Sequence, residues 1–380
     1  MNVDGRYDIV IVGAGISGAT LAERYATQLG KRVLVLEKRG HVGGNCHDYI
    51  NDAGIRVAKY GPHYFRTNDE GVWRYVQSFS SWEPFVPKAL SHVNGVDVPI
   101  PVNIHTVNAL FGTNIETEEQ MKAWLEAETD HIIEPKNSEE AALRRIGKRL
   151  YELMFKNYTT KQWDMSPCDL DPSVMDRIPV RLNHDDRYFT DKYQMYPTEG
   201  YSKIFERMLS NPLIEVRTNS SWESLKDAVG KYEKLFFTGT IDSYFDDNLG
   251  KLEYRSLRFE EQTLDQEWYQ KSVQVNYPSL DVPFTRIVEY KHQTRQSNPR
   301  TTIVREYPTW DGEPYYPVAS QKNKEIYERY QKKAEALEGQ GIYFVGRLAN
   351  YKYFNMDQAF RNSLDLFYRL EPGTKNEYAN

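Results

Sequence analysis

Cysteine is scarce: Cys46 and Cys168 are the only two in 380 residues. That excludes a disulfide framework and suits a reducing compartment, and both read as small buried hydrophobes. Long apolar runs are missing near the start. Ile9 to Val12, within DIVIVGAG, falls far short of the roughly 18 residues of a membrane span, and no basic segment precedes it, so a soluble cytoplasmic protein with no membrane partner is expected. There is no cationic excess: 48 Lys and Arg face 54 Asp and Glu, a formal net charge of −6 with no block of like charges, which argues against a nucleic-acid partner. No HExxH, GxSxG, CxxC or paired-carboxylate pattern stands in a convincing setting, so no metal site and no protein nucleophile are expected. Repeats, low-complexity tracts and long linkers are also lacking, which predicts domains packed together and discontinuous in sequence.

What the chain does have is tyrosine, 28 residues of it, with 7 Trp. Many stand beside Arg, Lys or His, as in NYTTKQW, DRYFTDKYQMY, EPYYP and NYKYF; a polar cleft that stacks on rings and donates hydrogen bonds would need them. At roughly 150 residues per domain, the length predicts two or three domains.

The opening reads as strand, tight turn, helix and strand: Tyr7 to Val12, GAGISG, Ala19 to Leu29, Arg32 to Leu36. Thr117 to Tyr158 reads as two helices, with Thr117 and Gln120 spaced as a capping box and Leu143, Ile146, Leu150, Leu153 and Met154 at helical spacing. After Pro167 come short β-like runs, most of them fitting an antiparallel sheet: Tyr188 to Thr190, Leu213 to Arg217, Lys234 to Thr238, Ser272 to Asn276, Arg286 to Lys291 and Thr301 to Tyr307. Gly341 to Gly346 repeats the strand-then-glycine pattern, Asp357 to Leu370 is a closing helix, and GTKNEYAN reads as a frayed tail.

Gly13, Gly15 and Gly18 form GxGxxG between a strand and a helix. The glycines permit the turn, the approach of a pyrophosphate and tight helix packing, and the helix N-terminus attracts phosphate. Glu37 closes the next strand, where a carboxylate accepts both ribose hydroxyls, so a dinucleotide is expected. Val42-Gly43-Gly44-Asn45 follows closely, and Gly346-Arg347 follows a distant strand. Such a two-ended grip resembles the FAD fold of the glutathione reductase and amine oxidase type, with Thr238-Gly239 as an additional flavin contact. His63, in KYGPHYFRT, directly follows the nucleotide segment. Arg177, Arg255 and Arg286 sit in separate segments; if they converge, they would pair with a diphosphate.

Taken in order, DIVIVGAGISGA, VGGN, YGPHYFRT, LYELMFKNYTTKQW, RIPVR with RYF, VPFTRIVEYKH, EPYYP and GRLANYKYFNMD resemble the prokaryotic UDP-galactopyranose mutase family over residues 6 to 370. The resemblance implies α/β with α+β insertions: a Rossmann-like FAD-binding domain (1–86, 197–250 and 335–380), an inserted helical domain (103–170) and an antiparallel sheet domain (87–102, 171–196 and 251–334), assembled as a homodimer. It implies an isomerase that interconverts a UDP-hexopyranose and a UDP-hexofuranose without net redox change, for surface polysaccharide. FAD is active when reduced, with NADPH or NADH as possible reductant, and its N5 forms a covalent adduct with the sugar.

By motif position, Arg177 matches the arginine of a loop closing over the diphosphate and Arg286 the other diphosphate arginine. Tyr188, Tyr316 and Tyr353 match tyrosines donating to it, Arg255 lies in a segment facing flavin and substrate, and Tyr158 and Trp163 match the uracil site, helped by Phe155 and Asn276. His63 is implied to position the flavin N5 and Arg347 to hold the FAD pyrophosphate. Ser17, Lys38, Gly44, Asn45, Gly239, Gly346, Tyr353, Asn355 and Met356 complete the cofactor contacts.

Three departures bear on the sugar. Arg66 replaces a second histidine, Asn355 an aspartate, and Pro87 a residue often polar. Arg66, longer and permanently charged, is expected to adapt the pocket to another UDP-sugar, UDP-N-acetylgalactosamine first; the alternative is a neutral change with UDP-galactose still preferred. Rival readings are an FAD oxidoreductase of the amine-oxidase type and a non-catalytic binding protein of the dissociation-inhibitor type.

Overall fold

The computed structural model describes residues 7–176 and 180–379. Its centre is a five-stranded, all-parallel sheet in the order Ile214–Arg217, Val33–Leu36, Ile9–Val12, Lys234–Phe237, Ile342–Phe344. Near-continuous apolar strands are what burial on both faces requires. Ile9, Ile11, Val33, Val35 and Phe236 pack with Leu21 and Tyr25 of the helix Ile16–Leu29 and with Phe360, Leu364 and Phe367 of the helix Met356–Leu370. The alternate residues Val10, Leu34, Leu36 and Leu235 pack on the other face with Tyr7 and Val229. From Ile9–Val12 the chain finds one neighbour at 33–36 and the other at 234–237, so the crevice at this strand's carboxyl end is a topological switch point.

A seven-stranded sheet runs Tyr316–Pro317, Tyr254–Leu264, Thr301–Thr309, Arg286–Glu289, Gln274–Asn276, Ala89–Val93, Val96–Ile100. Every pairing is antiparallel except that of Gln274–Asn276 with Ala89–Val93. The helices Ile104–Phe111, Glu118–Glu128 and Ser138–Leu150 share one core with its last two strands, through Val107, Leu125, Ile146, Val93 and Val98. A π-helical turn, Tyr151–Lys156, leads into the helix Asn157–Trp163. A small sheet of Phe65–Thr67, Tyr193–Pro197 and Trp82–Pro84 bridges the two large ones.

Several expectations are corrected here. Tyr188 to Thr190 is irregular and the strand is Tyr193–Pro197, because Gln194 Nε2 donates to the carbonyls of Phe189 and Asp191 in place of a ladder. Leu213 to Arg217 and Lys234 to Thr238 are the runs that lie outside the antiparallel sheet and supply parallel strands of the central one. Cys46 is buried, but Cys168 is exposed, its thiol 2.5 Å from Glu139 Oε2. The segment read as a frayed tail is anchored near its end. The Tyr378 ring meets Tyr75 edge-on at 5.1 Å and lies 5.2 Å from the Arg24 guanidinium, and its carbonyl accepts from Arg361 Nη2 at 3.0 Å.

Candidate active site

The cradle at the switch point is built by glycines that leave no room for a side chain. A Cβ on Gly13 would stand 2.1 Å from Thr238 Oγ1, one on Gly18 1.9 Å from the Gly13 carbonyl oxygen, and one on Gly44 2.9 Å from Gly15 Cα. Gly346, at φ 98°, comes so close to the same helix start that its Cβ would be 2.7 Å from Ser17 Oγ. Gly15 caps the helix Ile16–Leu29 with no side-chain bond and no acidic residue in the first turn, so the helix N-terminus is left to an anion. Glu37 is buried at the end of its strand, accepting from the N–H of Ala14 and of Arg39, each at 2.8 Å. Asn45 Oδ1 accepts from Arg39 Nη2 at 3.0 Å, and exposed Lys38 stands 3.8 Å from Glu313. A Cβ on Gly239 would meet the Phe237 ring at 2.8 Å. These residues fit a dinucleotide gripped from two sides.

Arg347, next to Gly346, marks where the cradle meets a cluster of tyrosines and charged side chains. Its guanidinium lies 4.8 Å from the Tyr353 ring centre and 5.9 Å from that of Tyr316, and Nη2 donates to the Phe354 carbonyl at 2.5 Å. Tyr316 and Tyr353 stack at 5.7 Å and 15°. In the same cluster, Arg286 opens the strand Arg286–Glu289 directly opposite Glu306, and its Nε donates to Glu306 Oε2 at 2.6 Å. Its two terminal nitrogens make no hydrogen bond among the described residues. Burial opposes the Arg286 charge, but Glu306, Tyr158 and Tyr316 outweigh it and hold the guanidinium firmly protonated. Burial raises the Glu306 carboxyl, Arg286 pulls it back, and Oε1 is buried without a partner.

His63 joins the two halves. Its ring Nδ1 is 3.0 Å from the Gly61 carbonyl, and its own carbonyl accepts from Gln293 Nε2 at 2.7 Å and Tyr201 Oη at 3.1 Å. Burial, then the charges of Arg347 and Arg286, push its pKa down to about 4. A neutral ring donating from Nδ1 to Gly61 leaves Nε2 as an acceptor. Tyr158 is raised by burial and feels Arg286, Tyr188, Glu306 and Tyr316, so these side chains are neighbours. Asn276 sits beside Arg286 in register, its Oδ1 held by Gln274 Nε2 at 2.9 Å.

The remaining expected site residues are placed as follows. Arg255 is 2% exposed and turned onto a helix end: Nε donates to the Gln162 carbonyl at 2.9 Å, and the guanidinium lies 4.4 Å from the Trp310 ring centre, leaving Nη1 unpartnered. A cation at a helix C-terminus is electrostatically favoured, so Arg255 braces the helix that carries Tyr158. Phe155 and Trp163 are both buried in apolar clusters, Trp163 with Leu170, Val174 and Val318, and offer a ligand at most an edge. Arg66 Nη1 takes both oxygens of Asp191, at 3.0 and 2.8 Å, and its guanidinium lies 4.1 Å from the Phe189 ring centre. Asn355 is the N-cap of the helix Met356–Leu370, its N–H donating to Gln358 Oε1 at 2.9 Å, and Met356 is buried behind it. The Tyr188 N–H donates to the Pro87 carbonyl at 2.9 Å. Arg177 lies outside the described residues. The sequence reading missed Glu306, although an acid facing Arg286 across an antiparallel pair was a usable signal.

The family model described as UDP-galactopyranose mutase matches residues 153–353, and one for an NAD(P)-binding Rossmann-like domain matches 11–79. A probable UDP-galactopyranose mutase from Klebsiella pneumoniae is 38% identical over 362 residues, covering 94% of this chain and 93% of that protein. The chain belongs to the UDP-galactopyranose mutase family. Within reach of this family also stands a dTDP-fucopyranose mutase from Escherichia coli, 35% identical over 94% of this chain and 96% of its own. A crystal structure of reduced UDP-galactopyranose mutase superposes with a TM-score of 0.76 at 18% identity, covering 98% of this chain and 97% of that one, which shows the same fold. A putrescine oxidase structure, at TM-score 0.61 and 12% identity over 96% of this chain and 99% of that one, shares the fold too, so the amine-oxidase rival is not separated from the mutase family by architecture.

Proposed function

We propose that this protein is an intramolecular transferase that interconverts the pyranose and furanose forms of a UDP-hexose, UDP-galactopyranose or UDP-N-acetylgalactosamine, for surface polysaccharide. The proposal includes FAD as cofactor, active when reduced by NADPH or NADH, a cytoplasmic homodimer, and the three-domain division given by the sequence. The observation that carries it is Arg286, charged and with both terminal nitrogens free of hydrogen bonds among the described residues, near Tyr158 and Tyr316 beside the cradle.

In this reading the helix N-terminus at Gly15, with Arg347, holds the FAD pyrophosphate, and Glu37 accepts the ribose hydroxyls. Reduced flavin, when bound, would supply the electron pair for bonding to the anomeric carbon as the bond to the diphosphate breaks and its pair leaves with the diphosphate. The chain's own residues bind, orient and stabilise charge. Arg286 meets the negative charge that grows on the diphosphate as it leaves, joined by Arg177 and by hydroxyls of Tyr188, Tyr316 and Tyr353. Tyr158 stacks on the base. His63, held neutral, orients the flavin edge through Nε2 and does not act as an acid. Arg66 keeps Nε and Nη2 unbonded among the described residues, which supports a contact to an acetamido carbonyl.

The test is anaerobic turnover of UDP-galactopyranose, UDP-N-acetylgalactosamine and dTDP-fucopyranose, with and without dithionite, following both ring forms by chromatography. Dithionite-dependent furanose from a UDP-sugar is the expected result. Turnover of the dTDP-sugar alone would move the base preference to thymine, and no isomerisation of any of the three by a protein whose flavin reduces normally would refute the reading.

A further inference from the structure

The hairpin that delivers Arg286 is held by a lysine of the helix that delivers Tyr158. Lys161 follows Tyr158 by three residues on the helix Asn157–Trp163, one turn on along the same face. Its Nζ donates to the carbonyl oxygens of Tyr277 at 2.5 Å, Ser279 at 2.8 Å, Val282 at 2.9 Å and Phe284 at 2.9 Å. All four belong to the loop 277–285, which joins Asn276, last residue of its strand, to Arg286, first residue of the next. An ammonium has three protons, so four acceptors saturate it. It makes no ion pair among the described residues, and its charge is met by carbonyl dipoles alone.

The rest of the loop's fixing lies mostly at its two ends, where the Thr285 N–H donates to the Glu306 carbonyl at 2.9 Å and Phe284 meets Tyr307 edge-on at 5.9 Å. The Tyr277 N–H donates to the Thr285 carbonyl at 2.8 Å and Phe284 meets Tyr277 edge-on at 5.0 Å, while Leu280 at the tip is 61% exposed. Burial pushes the Lys161 pKa down to about 8, the mark of a charge kept there against its solvation. From the far side, Arg255 of the strand Tyr254–Leu264 donates to the carbonyl of Gln162 at 2.9 Å, so the helix end is held to one strand by Arg255 and to the 277–285 loop by its own Lys161.

We propose that Lys161 is a positioning residue: it sets the distance between the Tyr158 ring and the Arg286 guanidinium, and so the length of nucleoside diphosphate the cleft accepts. This rests on the reading of those two residues as base and diphosphate contacts. Most of the diphosphate's charge is already present in the ground state, so a displaced Arg286 weakens binding first and raises KM, while the further charge that grows as the diphosphate leaves adds only a smaller fall in kcat.

The experiment uses the FAD-loaded, dithionite-reduced protein, with UDP and dTDP as binding probes and the preferred nucleotide sugar as substrate. Lys161→Met, which fills the volume without the charge, is expected to raise the nucleotide Kd and the sugar-nucleotide KM at least tenfold, with kcat within threefold and FAD content unchanged. A second variant, Lys161→Cys in a Cys168→Ser background, is alkylated with bromoethylamine to rebuild an ammonium of near-native length; this is expected to return KM towards wild type. Wild-type protein that bound neither nucleotide would overturn the reading of the site. Wild-type binding with Lys161→Met equally tight would overturn this inference alone, as would FAD content and kcat falling in step with KM without recovery on alkylation.

Discussion

His63 and His47 are the residues whose protonation the fold resists most plainly. Burial, then the stacked ring of His41 at 3.7 Å, push His47 to about 4, and His63 is held near the same value. The unfolded chain has ordinary histidines near 6.5, so between about 6.5 and 4 it binds more protons than the folded one, and acid favours unfolding there. Above 6.5 both states are neutral and this contribution is flat. Unfolding midpoints measured at pH 7.5 and pH 5 are therefore expected to differ, and His47→Gln should remove part of that difference; an identical drop in the variant would refute the assignment. At this scale the sequence was most legible where chemistry fixes spacing. Gly13, Gly15 and Gly18 stand in the strand-to-helix turn with Glu37 at the end of the next strand, and a Cβ on Gly13 or Gly18 would collide with Thr238 or with the Gly13 carbonyl. Arg255 was not legible: nothing in its neighbours announces that its guanidinium turns onto a helix end formed by residues some ninety positions earlier.

The elements that escaped the sequence are those whose patterns are weak. The strand Tyr254–Leu264 is the longest in the chain, yet most of it beyond Leu257 faces solvent and carries charge, so no alternation marked it. The helix Gln321–Glu338 buries only Asn323, Ile326, Tyr330 and Ala334, a narrow stripe that its polar composition hid. Conversely, the helix Glu118–Glu128 begins where the capping box placed it, since Thr117 and Gln120 satisfy one another's backbone groups. The helix Asn157–Trp163 is short and would be marginal alone, so its bracing matters. Arg255→Met removes the cation from its C-terminal carbonyls, and we expect a rise in sugar-nucleotide KM of about tenfold, roughly the value of one charge-assisted hydrogen bond. Steady-state kinetics of the reduced enzyme measure it; unchanged KM would show that the helix end holds without Arg255.

At the scale of the whole molecule, the C-terminal segment is a fastener rather than a fringe. Tyr378 covers Tyr75 and Arg24, which forms a close ion pair with Glu23, and Arg74 Nη2 reaches the Ala379 carbonyl at 2.9 Å. Deleting residues 376–380 is expected to lower Tm by about 2–6 °C while kcat and KM stay as they were, because the contacts lie behind the parallel sheet and not in the cleft. Differential scanning calorimetry beside an activity assay decides it, and a truncated protein with unchanged Tm would contradict the packing role. The same sheet also orders events during synthesis. Its strands are drawn from residues 9, 33, 214, 234 and 342 onward, and the glycine turn opposite Ser17 arrives last. A ribosome therefore releases the first half of the cofactor cradle long before the half that closes it. Nascent or prematurely terminated chains therefore lack one side of the cradle, and a dinucleotide can be gripped from both sides only once nearly all of these strands have been made.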